Sequence, residues 1–399
     1  MILEFPNNIK NNITLLLNSK KFVSRNFETF NELSIEFLND VSREIFRDKN
    51  LAKYPDIISF AFWSRKKAIE NEKKKSNLQN SFGRGLTFHI TPSNVALNFL
   101  YSFSFSLLAG NSNIVRLPSK KFKEIDIIIK IFKKLKNQKY KSIFESNIFV
   151  RYEPNDLINS YFSSICDTRV IWGGDNTIDK FKKYKTSPFC LDLMFPNRYS
   201  LSIINAQFLK KIDAIDYNNL IKNFFNDTYL YDQNACSSPH LIIWQNADEL
   251  EIKNFWLKIY EYIDKKYTLD YFMAVSKLTE LQNEKIKNKE ISKIENFSNK
   301  LIVINLKSLK KDYIHKKGRY GCFYQIKNLT LKSFFEKSNK KIQTITYFGL
   351  DKTKIKKLIQ NYAPIGIDRV VPVGQSSNIS FIWDGFNMID SLSRKIEIF

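Results

Sequence analysis

The sequence predicts an α/β fold of two domains, and three observations carry that expectation. Short runs of large apolar residues, such as Leu86-Thr87-Phe88-His89-Ile90, alternate with segments of helical periodicity. Strand–helix alternation of this kind builds βαβ units, hence a parallel sheet covered on both faces. The alternation begins only after residue 80 and resumes after residue 200, so a second α/β unit follows the first.

The elements follow in order. Apolar positions recur at helical spacing over 30–46 and 57–69, so the first eighty residues read as polar helices. The pattern changes at Ser81-Phe82-Gly83-Arg84-Gly85. Residues 86–90 then read as a strand, Thr91-Pro92-Ser93-Asn94 as a turn and helix cap, and 95–108 as a helix closed by Gly110-Asn111. A strand over 114–117 ends at Pro118-Ser119 before a helix over 122–135. Short strands at 149–151 and 169–172 follow, the latter running into Gly173-Gly174 and a helix start. Further strands are expected at 201–204, 240–244, 300–306 and 342–347, with helices over 217–226, 254–265 and 271–283. At the C-terminus 369–374 and 379–383 read as strands, followed by the turn Asp384-Gly385 and a short amphipathic helix. The expected boundaries are 1–202 for the N-terminal helices and first domain, 203–365 for the second, and 366–399 for a C-terminal segment.

Composition narrows the function classes. The chain has 399 residues, 43% of them hydrophobic and 26% charged, which is globular rather than disordered usage. A net charge of +23 raises nucleic acid as a partner. The lysines, however, run along the whole chain (73–75, 120–123, 133–136, 182–185, 352–357) instead of gathering beside aromatics on one module. Solvated faces, some of them drawing in a phosphate-bearing ligand, are the reading preferred. Cys166, Cys190, Cys236 and Cys322 form no CxxC pair, and His89, His240 and His315 are scattered. No disulfide framework and no metal site is expected, and a reducing cytoplasm fits. Met1 to Asn7 has no basic segment leading into an apolar one, so no secretory signal is expected. The apolar-leaning stretch 95–109 is too short to span a bilayer.

Cys236 is the residue of greatest chemical interest. It stands in Tyr231-Asp232-Gln233-Asn234-Ala235-Cys236-Ser237-Ser238-Pro239, on the turn entering the strand 240–244, with small residues around it. A thiol so placed can attack an acyl carbon and divide one hard reaction into two easier ones. A buried structural cysteine is the plainer alternative. Asn94 stands where a helix begins and reads, on the residues alone, as an N-cap. His89 and His240 read as satisfied strand histidines, the latter near enough to Cys236 to be weighed as an aid to thiolate formation. Gly83-Arg84-Gly85 precedes a strand and is no dinucleotide fingerprint. Asp368-Arg369 reads as an internal salt bridge.

Four segments in order resemble one family. Phe88 to Asn94 with Leu108 to Ser119 resembles the cofactor-domain signature of the aldehyde dehydrogenase superfamily, and Ile171-Trp172-Gly173-Gly174-Asp175 narrows it. Asp232 to Pro239 resembles that superfamily's nucleophile segment. Gly366 to Gly374 with Trp383-Asp384-Gly385 resembles the LuxC-type acyl-CoA reductases. The resemblance spans about residues 80 to 395. It implies an aldehyde dehydrogenase-like fold, with a Rossmann-like cofactor domain, a catalytic thiol domain, and a C-terminal β arm that serves oligomerisation.

The resemblance also implies roles. Cys236 is the nucleophile, and Asn94 donates its amide to the oxyanion beside the thiol residue's own N–H. Arg116 contacts the adenosine ribose or its phosphate, and Gly173-Gly174 opens a helix by the pyrophosphate. NAD-preferring members carry a glutamate where this chain has Ser119, followed by Lys120 and Lys121; NADPH is therefore expected over NADH. Aldehyde-oxidising members carry a Glu-Leu-Gly-Gly segment whose glutamate activates water. The matching stretch, 195–200, has no carboxylate, which favours acyl reduction. The expected activity is NADPH-dependent reduction of an acyl-CoA or acyl thioester to an aldehyde, with an acyl-protein synthetase as a partner the resemblance allows. The rivals are an acyl-phosphate reductase, an aldehyde dehydrogenase, and a basic nucleic-acid-binding or scaffold protein on a decayed enzyme fold.

Overall fold

Strand Leu86–Ile90 is buried at all five positions, as the central strand of a parallel sheet must be. It belongs to a computed structural model that describes residues 2–17, 22–76, 78–287, 289–310, 317–327 and 329–398; His315 lies outside them. The chain divides into two units, Met1–Asn197 with Ile379–Phe399, and Arg198–Asn378. Strand Arg369–Pro372, grouped by the sequence reading with the C-terminal segment, pairs in the second unit's sheet.

In the first unit the strands lie in the spatial order Thr14–Leu15, Asn147–Arg151, Ser112–Arg116, Leu86–Ile90, Thr168–Trp172 and Leu191–Phe195. All pairings are parallel except the first. Alternate residues enter different cores. Val115 and Val170 face the cluster around helices Glu32–Arg47, Asn98–Ala109 and Lys123–Leu135, while Phe88, Ile114 and Ile171 face the one around helix Asp156–Ile165. His89 is buried inside the central strand, hydrogen-bonded to Ser102 Oγ and Asn113 Oδ1 at 2.8 Å each. Burial holds its pKa down at about 4.

Two helices differ from expectation. The periodicity over 57–69 belongs to helices Pro55–Trp63 and Lys66–Lys75, separated where Ser64 closes the first and Arg65 takes an extended conformation. The helix expected at 95 begins at Asn98, with Leu97 in the N-cap position, so Asn94 is not its cap. Preliminary turns (Asn98 N–H to Val95 O, Leu100 N–H to Leu97 O) take up the intervening residues. The helix ends at Gly110 with φ 95°, the left-handed conformation that a glycine adopts without steric cost.

The second unit's sheet runs Ile291–Ser298, Leu301–Leu306, Cys322–Lys327, Pro239–Gln245, Tyr199–Asn205, Ile342–Phe348, Arg369–Pro372, with one antiparallel pair at the first edge. Ile242 and Trp244 enter one core with helices Ala214–Thr228 and Glu249–Lys266; Leu241 and Ile243 enter the other. The expected pair Asp368-Arg369 is redirected. Asp368 pairs with Arg198, whose guanidinium also donates to Ile342 O (2.9 Å) and Gly366 O (2.7 Å). Arg369 donates to the carbonyls of Gln375, Ser376 and Asn378. Of the expected strand 379–383, Ile382–Trp383 forms, pairing with Phe386–Asn387 round Asp384-Gly385, both at positive φ as a tight hairpin requires. Among the described residues, no helix is long and apolar enough to cross a membrane.

Candidate active site

Cys236 lies on a turn closed by Ser238 N–H to Ala235 O (3.0 Å), just ahead of strand Pro239–Gln245. The thiol residue is half-buried between buried Ala235, Ser237 and Ser238. The chain reaches this turn from helix Ala214–Thr228 through one tight turn and two successive left-handed residues, Asp232 (φ 53°) and Gln233 (φ 56°). Gln233 is an uncommon residue for that conformation, and its surroundings hold it there. Its amide is buried, donating to Pro239 O and Cys322 O (3.3 Å each) and accepting from Gly321 N–H (2.8 Å). Asp232 accepts from Tyr267 Oη at 2.7 Å. These bonds describe loop-shaping residues.

The turn is also tied to the first strand of its sheet. Ser200 Oγ donates to Cys236 O at 2.6 Å and accepts from Thr344 N–H at 3.2 Å. Strand pairing is irregular at Ser200 on both sides, so a hydroxyl replaces a backbone partner there. His240 is buried with Nδ1 on Gly318 O at 2.7 Å, and burial drives its pKa down to about 3. Nδ1–H therefore donates to that carbonyl from a neutral ring. A neutral ring offers no cation to stabilise a thiolate. Ser238 Oγ is buried without a hydrogen-bond partner among the described residues, a donor two residues from the sulfur. Cys322 is a contrasting thiol, pushed up to about 12 by burial.

In the first unit the other named residues emerge at one sheet edge. From Leu86–Ile90 the chain moves through Ser112–Arg116 to Asn147–Arg151, then returns to the opposite side of the first strand at Thr168–Trp172. That reversal is a topological switch point, where open α/β sheets bind ligands beyond the carboxyl ends of their strands. Asn94 is exposed on the loop after Leu86–Ile90, and Gly173-Gly174 follows Thr168–Trp172. Arg116 ends the neighbouring strand, and Ser119, Lys120 and Lys121 are exposed beyond it. Gly174 is the N-cap of helix Asp175–Lys182. A Cβ on Gly173 would stand 2.9 Å from the Thr177 side chain, and one on Gly174 3.3 Å from Asn197. Gly173 therefore needs to be small, while at Gly174 the Asn197 side chain would have to yield.

Arg116 is fixed by a residue the sequence reading did not single out. Its guanidinium lies 4.6 Å from the Tyr152 ring centroid, and Nη2 reaches Tyr152 O at 3.5 Å. Arg116 Nε is buried with no partner among the described residues, leaving a donor for a ligand to satisfy. Tyr152 is itself held, its hydroxyl donating to Asn159 Oδ1 at 2.8 Å. A dinucleotide fits this edge. The glycines leave room at a helix N-terminus for a pyrophosphate, and the cations of Arg116, Lys120 and Lys121 suit phosphate. No local pattern marks Tyr152 or Ser200 as partners, since each acts on a segment distant in sequence.

Comparison with known proteins agrees with this architecture. Aldehyde dehydrogenase 21 from Physcomitrella patens, in complex with the product succinate, superimposes with a TM-score of 0.63 at 12% identity, over 91% of this chain and 84% of that one. An NAD-dependent benzaldehyde dehydrogenase from Corynebacterium glutamicum gives 0.60 at 12%, over 90% and 82%. The glyceraldehyde-3-phosphate dehydrogenase GapN from Methanocaldococcus jannaschii, complexed with NADP, gives 0.59 at 13%, over 91% and 88%. No curated protein matches the chain. The fold is that of the aldehyde dehydrogenases, and the family profile of the acyl-CoA reductase LuxC covers residues 19–395. Its chemistry is therefore that of an oxidoreductase of acyl and aldehyde groups. The chain belongs to the LuxC family of acyl-CoA reductases.

Proposed function

We propose that this protein reduces an acyl-CoA, or a related acyl thioester, to the aldehyde with NADPH, through a thioester on Cys236. The Cys236 sulfur attacks the acyl carbon, the C–S bond to coenzyme A breaks, and the thiolate of coenzyme A leaves. The Asn94 side-chain amide and the Cys236 N–H donate to the oxyanion as it forms. Arg116, Ser119 and Gly173-Gly174 would hold NADPH, which when bound would supply the hydride that reduces the thioester carbon. Cys236 then leaves the reduced carbon as thiolate, and the aldehyde departs.

The observation that carries this reading is the braced, half-buried Cys236 turn in a chain of an acyl-CoA reductase family. The stretch 195–200 supplies no carboxylate to activate water, and Asp368, which reaches Arg198 there, is held in an ion pair. Delivery of the acyl group by a synthetase partner, and pairing of copies through the segment 366–399, belong to the same reading; co-purification and native mass would test them.

The test is an intact-mass measurement after exposure to a panel of acyl-CoAs without NADPH. One acyl group should appear, mapping to Cys236 and disappearing when NADPH is added. An acyl group on another residue, or aldehyde formed by a protein never acylated, overturns the proposal.

A further inference from the structure

Lysine is almost never buried without partners, yet helix Tyr271–Lys287 buries one while exposing its large apolar residues. Tyr271 and Phe272 are 86% and 77% exposed, and Val275 and Leu278 are exposed with them, whereas Lys277 is 1% exposed. Buried Leu281, one turn on, shares its inward face. The Lys277 ammonium donates to Tyr320 O at 2.8 Å and to Asn299 O. Burial lowers its pKa to about 8, so the charged form still prevails at neutrality, carried by the two carbonyls.

Both carbonyls belong to segments that support the Cys236 turn. Tyr320 (φ 56°) and Gly321 (φ 82°) are successive left-handed residues, joined to the left-handed pair Asp232 and Gln233. Tyr320 N–H donates to Asp232 O at 3.2 Å, and Gly321 N–H donates to Gln233 Oε1 at 2.8 Å. Gly321 can only be glycine there, since a Cβ would stand 1.9 Å from Lys300 O. Asn299 and Lys300 turn the hairpin between strands Ile291–Ser298 and Leu301–Leu306. Lys300 O accepts from Tyr229 Oη at 3.1 Å, and Tyr229 O accepts from Asp232 N–H at 3.1 Å. Two routes therefore lead from one ammonium to the residues just before Cys236.

We propose that Lys277 is a positioning residue for Cys236: its ammonium clamps the 299–300 and 320–321 turns together, and these hold the Asp232-Gln233 turn that presents the thiol. This role rests on the thiol chemistry proposed for Cys236. A charged donor suits the clamp, because hydrogen bonds from an ion are about twice as strong as neutral ones. Methionine would fill the same space and leave both carbonyls without that donor. The two turns would then shift, and the sulfur with them. Misplacing a reacting atom by about 1 Å can cost about 10²-fold in rate.

The experiment compares wild type, Lys277→Met, Gln233→Leu and the double variant in single-turnover acylation by an acyl-CoA that labels wild-type Cys236. In Lys277→Met the limiting rate should fall about 10²-fold, while the acyl-CoA concentration at half that rate holds. With Gln233 already replaced, adding Lys277→Met should cost little more, because both act on one turn. Hydrogen exchange in Lys277→Met should quicken at 320–321 and 232–238 and stay slow in strand Pro239–Gln245. An unchanged limiting rate, equal-fold losses in the two backgrounds, or exchange that quickens throughout the second unit overturns the proposal. Should Lys277→Met not fold, Lys277→Gln, which keeps an amide donor, takes its place under the same criteria. A wild type that no acyl-CoA labels at Cys236 refutes the proposed function instead, and exchange at 320–321 and 232–238 then decides whether Lys277 is a clamp.

Discussion

The turn that carries Cys236 and the edge that carries Asn94 and Arg116 are held in different ways. Side chains from distant strands and loops brace the thiol turn: Gln233 with three hydrogen bonds, Ser200 on the Cys236 carbonyl, and His240 on Gly318. The first unit's edge instead exposes Asn94 and Ser119, and Arg116 Nε has no partner there among the described residues. A nucleophile has to be positioned before substrate arrives, so its surroundings are complete without a ligand. A cofactor edge gains from donors that only the ligand satisfies. Substitutions of the side chains that brace the first should therefore cost stability as well as rate, and substitutions at the second rate or affinity alone.

The largest effect expected is at the sulfur itself. Cys236→Ala should abolish acylation and aldehyde formation while leaving the thermal midpoint near that of the wild type, since the hydrogen bonds of Gln233, of Ser200 to the Cys236 carbonyl and of His240 stay in place. Full turnover in a single-turnover assay would remove Cys236 from the reaction. Asn94→Ala comes next. Loss of one oxyanion donor typically lowers the rate about 10²–10³-fold. Because Asn94 is exposed on a loop, the thermal midpoint should not move. A matched fall in rate and stability would make Asn94 a structural residue.

Gln233→Leu tests the opposite behaviour. It removes the acceptor of the Gly321 N–H inside the protein, a loss of about 3 kcal/mol. Urea unfolding should show that loss together with slower acylation, and NADPH affinity by fluorescence titration should hold. An unchanged urea midpoint would mean the turn is not braced by this amide.

Acid provides a subtler probe of the same brace. Burial sets the folded pKa of His240 at about 3, below the unfolded value, so the folded state binds fewer protons. The stability that the neutral ring contributes at neutrality is lost as pH falls from about 6.5 toward 3, about 2 kcal/mol of it between about pH 7 and 5. His240→Asn keeps a donor for Gly318 O and does not titrate, so its urea midpoint should fall less over that interval. Asp227, raised to about 6 by burial, acts with the opposite sign, gaining stability as pH falls, and cancels between the two proteins. Parallel pH curves for the two would refute this account of His240.

What the sequence made legible follows the same division. Strand Leu86–Ile90, the Gly110 helix end and the turn before Pro239 are local patterns, and each was readable. Strands Leu191–Phe195 and Cys322–Lys327 were not, because each carries a polar residue whose partner is remote. Asp192 is neutralised by Arg169 on the next strand. Gln325 accepts from both Trp244 and Trp256 indoles and donates to Asn305 Oδ1. A charge or amide in a short run reads as surface until its partner is known. The residues proposed for the site were chosen by type, since Cys, Asn, Arg and paired glycines advertise their chemistry. The residues that hold them, Ser200, Tyr152 and Gly318, do not.

The smallest effect expected is at Ser119. It is exposed beyond the strand end that carries Arg116, with Lys120 and Lys121 exposed after it. A 2′-phosphate brought to this edge would meet cations and a hydroxyl, and no carboxylate. Ser119→Glu adds an acceptor for a ribose 2′-hydroxyl and a charge that repels a 2′-phosphate. Both changes act in the same direction, so the ratio of NADH to NADPH dissociation constants should fall about 10-fold, equivalent to about 1.4 kcal/mol. Fluorescence titration of both cofactors reads this without turnover. Since Ser119 is exposed, stability should hold, in contrast to Gln233→Leu. If the ratio stays fixed while Arg116→Leu still weakens both cofactors, the phosphate-bearing ribose lies on the Tyr152 side of Arg116 and not over the lysines.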